Sequence, residues 1–458
     1  MKYFLQSRWK VCKKKLVYYG MRNKLFTNEI KLSKKQRDII LSLPRELSSL
    51  EEKVISRFLN KEVVLEKDIK KIPKSLDEAR FCSNCIANDF IIPGLEFSSD
   101  GKCPMCQTEE ETKELRSVLP ILETIPRTKK SRFDIALFYT GGKDSTYLLY
   151  YLSKELGLNV LALTWEIPFM STSAKKSINN AKEKMKNVEF VSCKMSDKDL
   201  QKVFKKLYAL NGNTCACPSL AYVLFYPLLV NYRVPYFVAG NEPVQMQGLY
   251  YNGLAPKIAF KFAENKFLNG LFNIFRILTI KPPLKKGQIQ TLMTMKQLAY
   301  GDGIKKYFGY RNELISNISL SLQEVNHLLK PLKRSIHFSS RTGNIPAFIH
   351  IDMDKINNGV YDWHKIKDVI IKECGWVGPE DKCLHTSCSI EKCKENTQFK
   401  RFYNMESRMI PFSALEISLA SRNKNISRLD AIKELQSNLG FTLEEVKECQ
   451  IMRDYLKK

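Results

Sequence analysis

Residues 138–146 read FYTGGKDST and follow an apolar run directly. A glycine pair placed after a buried strand and before a helix lets main-chain amides turn toward an anion, and the helix N-terminus adds a favourable dipole. Lys143 supplies a full positive charge at the same place, while Ser145 and Thr146 supply hydroxyl donors. These residue types predict a phosphate-binding loop. The alternative is an ordinary glycine-rich turn between a strand and a helix.

The loop does not match the Walker A pattern, which needs a glycine at the position of Leu137 and a serine or threonine at the position of Asp144. It resembles instead the SGGKDS loop of the PP-loop ATP pyrophosphatases, with Thr140 where serine is usual. In that family the loop holds the terminal phosphates of ATP. Cleavage between the α and β phosphates releases pyrophosphate while AMP is placed on an acceptor oxygen. The resemblance therefore implies ATP and magnesium.

The resemblance also implies roles for single residues. Those expected to contact ATP or its magnesium are Thr140, Gly141, Gly142, Lys143, Asp144, Ser145 and Thr146. Lys143, Asp144 and Ser145 are the expected catalytic residues. Lys143 and the loop amides would stabilise charge on the leaving pyrophosphate, and Asp144 would position the loop or the metal.

Two further groups follow predicted strands, where open α/β sheets bind ligands. The group expected near adenine and ribose is Thr164, Trp165 and Glu166. The second group lies in VAGNEPVQMQG and consists of Gly240, Asn241 and Glu242. We expect the second group either to contact ATP or magnesium or to form a simple exit turn.

A cysteine-rich segment precedes the loop. Its ligand candidates are two C-x2-C pairs separated by seventeen residues, namely Cys82, Cys85, Cys103 and Cys106. Four thiolates at this spacing are typical of a closed tetrahedral structural zinc site. Free thiols and an iron–sulfur cluster are the alternatives.

The cysteine segment also carries a resemblance to a more specific family within the PP-loop enzymes. The chain carries a module containing PGLEFSSDGKCPMC shortly before a PP-loop domain, and in this it is similar to the N-acetyl sugar amidotransferases of surface-polysaccharide and sialic-acid-like sugar synthesis. The resemblance extends to two further segments, GNEPVQMQG and MIPFSALEISLASRNKNISRLDAIKEL. That family implies adenylation of an acetamido oxygen, followed by attack of ammonia from a glutaminase partner to give an acetamidino sugar.

A second set of cysteines does not follow from amide chemistry. It consists of Cys215, Cys217, Cys383, Cys388 and Cys393. PP-loop thiolation enzymes often carry cysteines after the loop that deliver sulfur or hold an iron–sulfur cluster. The alternative function is therefore a sulfurtransferase acting on tRNA or a small metabolite. A second zinc site with His385 and plain buried cysteines also stay open.

The elements that must position these residues alternate between strand and helix. FDIALFYT, NVLALTWEI, NVEFVSC and VPYFVAG read as nearly apolar strands with helical segments between them, which predicts an α/β fold with a doubly wound parallel sheet. We predict four regions: a basic helical N-terminal arm (1–78), a zinc-ribbon-like module (79–110), a PP-loop domain with an inserted basic helical segment (111–310), and a mostly helical C-terminal region (311–458).

The formal charge of +26 indicates attraction to nucleic acid, anionic lipid or polyanionic substrates, or reflects a lysine-rich composition. The N-terminus has no signal-peptide pattern and no window is apolar enough to span a membrane, so a cytoplasmic location is expected. Residues 257–290 mix bulky apolar residues with lysines. We expect a helix packed on the main domain there, with contact to a partner or membrane surface as the alternative.

Overall fold

The computed structural model describes residues 2–23, 28–59, 61, 63–68, 72–127, 129–262, 265–301, 313–379, 387–437 and 439–458. Its strands are β1 (Lys2–Leu5), β2 (Trp9–Cys12), β3 (Lys15–Tyr18), β4 (Glu29–Lys31), β5 (Arg45–Glu46), β6 (Val64–Leu65), β7 (Ile135–Phe138), β8 (Val160–Trp165), β9 (Val188–Cys193), β10 (Tyr236–Ala239) and β11 (Ala347–Phe348). The last five form one parallel sheet in the order β11-β10-β7-β8-β9.

The helices before residue 240 are α1 (Lys34–Leu41), α2 (Ser49–Leu59), α3 (Pro104–Gln107), α4 (Glu109–Thr112), α5 (Lys143–Tyr150), α6 (Thr172–Lys184), α7 (Asp197–Asn211) and α8 (Cys217–Asn231). Those that follow are α9 (Pro243–Tyr251), α10 (Lys257–Phe262), α11 (Lys266–Leu278), α12 (Gln288–Tyr300), α13 (Glu313–Leu322), α14 (Asn326–Thr342), α15 (Met353–Ile356), α16 (Trp363–Cys374), α17 (Glu391–Tyr403), α18 (Phe412–Arg422), α19 (Arg428–Ser437) and α20 (Lys447–Lys457).

Helices cover both faces of the central sheet. In β7, Ile135 and Leu137 belong to a core shared with α5, α6 and α16, whereas Ala136 and Phe138 belong to a core shared with α7, α8 and α14. Successive side chains of a strand point to opposite faces, which explains why β7 is apolar throughout. The predicted α/β fold with a doubly wound parallel sheet is confirmed and is consistent with a PP-loop fold.

The sheet continues past the boundary predicted at residue 310. Strand β11 pairs with β10 through Tyr236 with Ala347 and Phe237 with Phe348. The predicted 311–458 region is mostly helical, as expected, but it also supplies this edge strand. Two residues are too few to show the period that identifies a strand in a sequence.

The prediction of a helical N-terminal arm is wrong for the first thirty residues. Strands β2, β3 and β4 form one antiparallel sheet, and β1 pairs with β5 and β6 in another. Phe4 pairs with Leu65, a partner about sixty residues away that no local window contains. Helices α1 and α2 confirm the helical pattern only for the later part of this region.

This N-terminal region is packed against the rest of the chain. The buried guanidinium of Arg8 donates to the carbonyls of Phe402 at 2.8 Å and Tyr403 at 2.6 Å, at the end of α17. Tyr18 donates to the carbonyl of Gly94 at 2.9 Å. It is therefore a docked layer and not a free arm.

The basic helical segment within the α/β domain forms α10, α11 and α12. Phe272 of α11 packs against the core on the α8 side of the sheet, but the opposite face of α11 is exposed. The expectation of a helix packed on the main domain thus holds for one face only. Within the described ranges, every helix is too short or too polar to cross a bilayer.

Candidate functional site

The glycine-rich loop joins the carboxyl end of β7 to the N-terminus of α5. Gly142 caps α5, and Gly141 has a φ of +73° that side chains rarely adopt. A Cβ atom on Gly141 would lie 2.6 Å from the carbonyl oxygen of Ala174 in α6. Because both the conformation and the contact with α6 require glycine, the loop can bend tightly over the helix N-terminus, as the sequence predicted.

Hydroxyl groups fasten the loop to the first turn of α5. The main-chain amide of Thr140 donates to Ser145 Oγ at 3.3 Å, and the two hydroxyl oxygens lie 3.1 Å apart. The amide of Gly142 donates to Thr140 Oγ1 at 3.3 Å. Thr140 therefore positions the loop as a serine would, and it holds the loop around the positive end of the helix.

Lys143 is buried in a charged and aromatic cage. Its Nζ donates to Glu242 Oε1 at 2.6 Å and also to Asp144 Oδ1, and it lies 4.5 Å and 4.8 Å from the ring centroids of Tyr361 and Trp363. Trp363 Nε1 donates to Glu242 Oε2 at 2.9 Å, and Tyr361 donates to Asp144 at 3.0 Å. Each charged group of the cage is thereby held in one position.

The cage determines which groups are charged. Burial acts to lower the pKa of Lys143, but the charges of Asp144 and Glu242 together outweigh it, so the pKa is raised and the ammonium group is retained. Burial and the neighbouring Asp144 raise the pKa of Glu242 well above its ordinary value. Lys143 therefore offers a fixed positive charge beside two carboxyl groups.

Strand β10 ends against the same helix. A Cβ atom on Gly240 would lie 2.7 Å from the main-chain nitrogen of Ser145, so glycine allows β10 to approach the start of α5. The amide of Asn241 donates to the carbonyl of Ala239 at 2.8 Å. The end of β10 therefore lies beside the loop, and contact of Gly240, Asn241 and Glu242 with ATP or magnesium stays a prediction.

A cavity of about 380 Å³ opens at this edge of the sheet. The predicted residues among its lining are Thr140, Gly142, Lys143, Asp144, Ser145, Trp165, Gly240 and Asn241. Other predicted residues lie behind the cavity wall. Thr164 is buried and donates to the carbonyl of Tyr139 at 2.9 Å, and Thr146 donates to the Tyr139 hydroxyl at 3.5 Å. Glu242 faces Lys143. Gly141 packs against Ala174. These residues support the site without lining it.

Cysteines from two distant segments line the same cavity. Cys215 and Cys217 stand at the start of α8, and Cys388 and Cys393 come from the segment around the start of α17. Burial raises the pKa of Cys215, raises that of Cys217 further, and raises that of Cys388 to about 12. The walls are therefore apolar enough to keep these thiols neutral in the protein as it stands.

The predicted second cysteine group is only partly assembled among the described residues. Cys383 and His385 lie outside them. Cys393 has Cys449 as its neighbour, a partner that sequence spacing did not indicate, and the hydrogen bond between the two thiols lowers the pKa of Cys449 to about 7. The described part of the cavity thus brings together four of the five predicted cysteines, namely Cys215, Cys217, Cys388 and Cys393.

An ion pair in the cavity wall was missed by the sequence analysis. Lys394 donates to Glu391 one turn earlier in α17, and both residues line the cavity. Burial acts to lower the pKa of Lys394, but Glu391 and other groups near Lys394 outweigh the effect of burial, so the pKa is raised. In the sequence, this ion pair could have been recognised from a glutamate and a lysine at i, i+3 spacing, but the same spacing occurs on many exposed helices.

The four-cysteine module forms a separate, buried site. The sulfur atoms of Cys82 and Cys106 lie 3.8 Å apart, those of Cys85 and Cys103 lie 3.7 Å apart, and all four lie within 4.8 Å of one another. Zn–S bonds of about 2.3 Å in a tetrahedron place sulfur atoms about 3.8 Å apart. The amide of Asn84 donates to Cys82 Sγ at 3.4 Å. The predicted metal site is therefore formed, with the dimensions of a single tetrahedral ion.

No family model and no curated protein match this chain. One match among solved structures is the U34-tRNA thiolase NcsA from Methanococcus maripaludis with its 4Fe-4S cluster, at 13% sequence identity. The match covers 67% of this chain and 91% of that chain, with a TM-score of 0.23.

Proposed function

We propose that the protein is an ATP-dependent, AMP-forming enzyme that transfers sulfur to an adenylated acceptor. The observation that carries this proposal is the shared cavity, in which the glycine-rich loop and Cys215, Cys217 and Cys388 face the same space. Activation of an oxygen by AMP and its replacement by sulfur require these two sets of groups to be neighbours. This is the alternative function of the sequence analysis.

The loop would carry out the activation step. The phosphates of ATP would accept hydrogen bonds from loop amides at the N-terminus of α5. The acceptor oxygen attacks the α phosphorus, an O–P bond forms, the bond to the bridging oxygen breaks, and pyrophosphate leaves. Lys143, fixed by Glu242, would stabilise the charge on the leaving group. Magnesium held by Asp144 would neutralise the phosphate charge.

The second step exchanges oxygen for sulfur. A hydrosulfide attacks the carbon that bears the adenylated oxygen, a C–S bond forms, the C–O bond breaks, and AMP leaves with the oxygen. The hydrosulfide proton is lost to solvent. With hydrosulfide as the donor, the balance needs neither an oxidant nor a reductant.

Cys215, Cys217 and Cys388 would hold the sulfur donor. Among the described residues no three cavity groups place their ligand atoms within 4.8 Å of one another, so these thiols are too widely spaced to share one zinc ion. Three thiols in an apolar wall suit an iron–sulfur cluster, which would supply an iron atom that binds sulfide. Within the described ranges, a second zinc site thus has no support.

The acceptor class that the charge favours is tRNA. A formal charge of +26 attracts polyanions, and a small metabolite is the alternative acceptor. The amidation of an N-acetyl sugar with a glutaminase partner remains a prediction without specific support in the cavity, whose described walls carry cysteines that this chemistry does not use.

The four-cysteine module would bind structural zinc. Its ligands are buried, close together and outside the cavity, which is typical of a closed site without an open coordination position. A cluster of several irons would hold the four sulfur atoms further apart than they lie here.

The test supplies the purified protein with ATP, magnesium and bulk tRNA, together with either inorganic sulfide or ammonium. We expect pyrophosphate and AMP to form with tRNA and the nucleosides to gain sulfur by mass spectrometry. Cys217→Ser should abolish sulfur incorporation, whereas Cys12→Ser, in the N-terminal sheet, should not.

Two results would overturn the proposal. Pyrophosphate release that requires an N-acetyl sugar and ammonium, with an amidino product, would establish nitrogen transfer. Formation of ADP in place of AMP would exclude both reactions.

A further inference from the structure

Helix α11 presents a row of large apolar side chains to solvent. We call this row the α11 face; it consists of Phe267, Leu271, Ile274, Phe275 and Leu278. Phe267 is 73% exposed and Leu278 is 77% exposed, and Ile280, just beyond the helix, is 95% exposed. Positions 267, 271, 274 and 278 repeat at helical spacing, so they form one continuous stripe about 16 Å long.

The inner side of α11 is anchored by polar groups. Asn273 donates to the carbonyl of Leu284 at 2.9 Å and accepts from its amide at 2.8 Å. The buried guanidinium of Arg276 donates to the carbonyls of Pro282 at 2.8 Å and Ser340 at 2.7 Å. This polarity is the reverse of that of an ordinary surface helix, which buries its apolar stripe. Because these hydrogen bonds fix the rotation of α11, its apolar stripe is held outward.

The segment around the stripe is rich in lysine, although Lys257 and Lys261 lie 3.7 Å from Glu111 and Glu114. Residues 257–300 contain eight lysines and arginines and a single acidic residue, Glu264. Lys266 and Lys285 are exposed. Burial, followed by the positive charges of Lys281 and Arg276, lowers the pKa of Lys296.

We propose that the α11 face binds the surface of a membrane that contains anionic lipids. The apolar stripe would enter the boundary between headgroups and acyl chains, while the flanking lysines would contact the headgroup phosphates. The helix has thirteen residues and would lie parallel to the bilayer plane rather than cross it. This inference does not depend on the reaction proposed above.

The composition of the surface favours a bilayer over a protein partner. Protein interfaces are enriched in aromatic residues, methionine and arginine and depleted in lysine, whereas this surface combines its phenylalanine, leucine and isoleucine side chains with lysine. Such a combination is characteristic of interfacial helices on anionic membranes.

The test is co-sedimentation of the full chain with vesicles of phosphatidylcholine alone or mixed with phosphatidylglycerol. We expect binding to the anionic vesicles that weakens as salt is raised. The double variant Phe267→Ser with Leu278→Ser should bind about tenfold more weakly or worse, because two inserted apolar side chains are lost. The matched control is Leu50→Ser with Leu429→Ser, which removes two leucines that are also largely exposed, from α2 and α19, and should bind as the wild type does.

Thermal unfolding of each variant shows whether its fold is intact, and exposed positions should leave it unchanged. Absence of wild-type binding to the anionic vesicles would overturn the proposal, as would equal binding by the α11 double variant. A dimer in light scattering that the α11 substitutions dissociate, without vesicle binding, would overturn it in favour of self-association.

Discussion

The two groups of cysteines in this protein differ in how the chain brings them together. Cys82, Cys85, Cys103 and Cys106 lie within one short segment, and their sulfur atoms approach to 3.7–3.8 Å across two pairs. Cys215, Cys217 and Cys388 come from segments about 170 residues apart and meet only as the wall of a cavity.

We expect this difference to distinguish a structural site from a reactive one. Two short turns can bring four thiols close enough to enclose one ion completely, which leaves no position for a substrate. Thiols carried by separate segments around a sheet stay further apart and leave space between them. Under the proposed function, the same residue type would stabilise one part of the fold and take part in chemistry in another.

Removal of one thiol from the closed site should have the largest effect on stability. Cys85→Ser should lose the bound metal and with it the stabilisation that metal binding adds, about 4 kcal/mol at a free metal concentration a thousand times Kd. Metal content by mass spectrometry and unfolding in urea measure the two quantities. Cys12→Ser is the control, and a Cys85→Ser protein with unchanged metal content would contradict the structural assignment.

Substitution of Lys143 tests the second of the two regions compared, the cavity. Lys143→Met should leave Asp144 and Glu242 buried without their cation, at a cost of about 3 kcal/mol, and should slow pyrophosphate release about 100-fold or more. Addition of Glu242→Gln should recover part of the free energy of unfolding but none of the activity. Recovery of activity in the double variant would show that Lys143 acts only as a partner for Glu242.

A substitution that disturbs the close approach of β10 to α5 should have a smaller effect on stability. Gly240→Ala places a Cβ atom 2.7 Å from the Ser145 nitrogen, and the required shift should cost about 1–3 kcal/mol and weaken ATP binding measured by calorimetry. Gly270→Ala in α11 is the control, because nothing lies within 4 Å of its Cβ position. Alanine there should stabilise the helix by about 0.5–1 kcal/mol. Equal effects at both positions would contradict the packing argument.

Cys217→Ser should change stability least. The thiol borders a cavity and holds no closed ion, so we expect a free energy of unfolding within about 1 kcal/mol of the wild type. A loss as large as that of Cys85→Ser, measured in the same urea titration, would mean that the cavity cysteines also form a structural site.

The sequence predicted the parts of the site whose residues are neighbours in the chain. The loop with Gly141, Gly142 and Lys143 lies between a strand and a helix as expected, because the turn is built from consecutive residues. The prediction was wrong for the N-terminal region, where β1 pairs with strands more than forty residues away, and periodicity within a short window does not report such partners.

What the sequence by itself determined is therefore local: the glycine-rich turn between β7 and α5, the four-cysteine spacing and the alternation of apolar strands with helices. Only the tertiary structure placed Tyr361, Trp363 and Glu242 around Lys143, and only it brought Cys388 to the cavity of the loop. It also turned the apolar side of α11 outward. The physical reason is that a turn or a knuckle forms from backbone geometry within a few residues, whereas contacts between distant segments depend on how helices pack on a sheet.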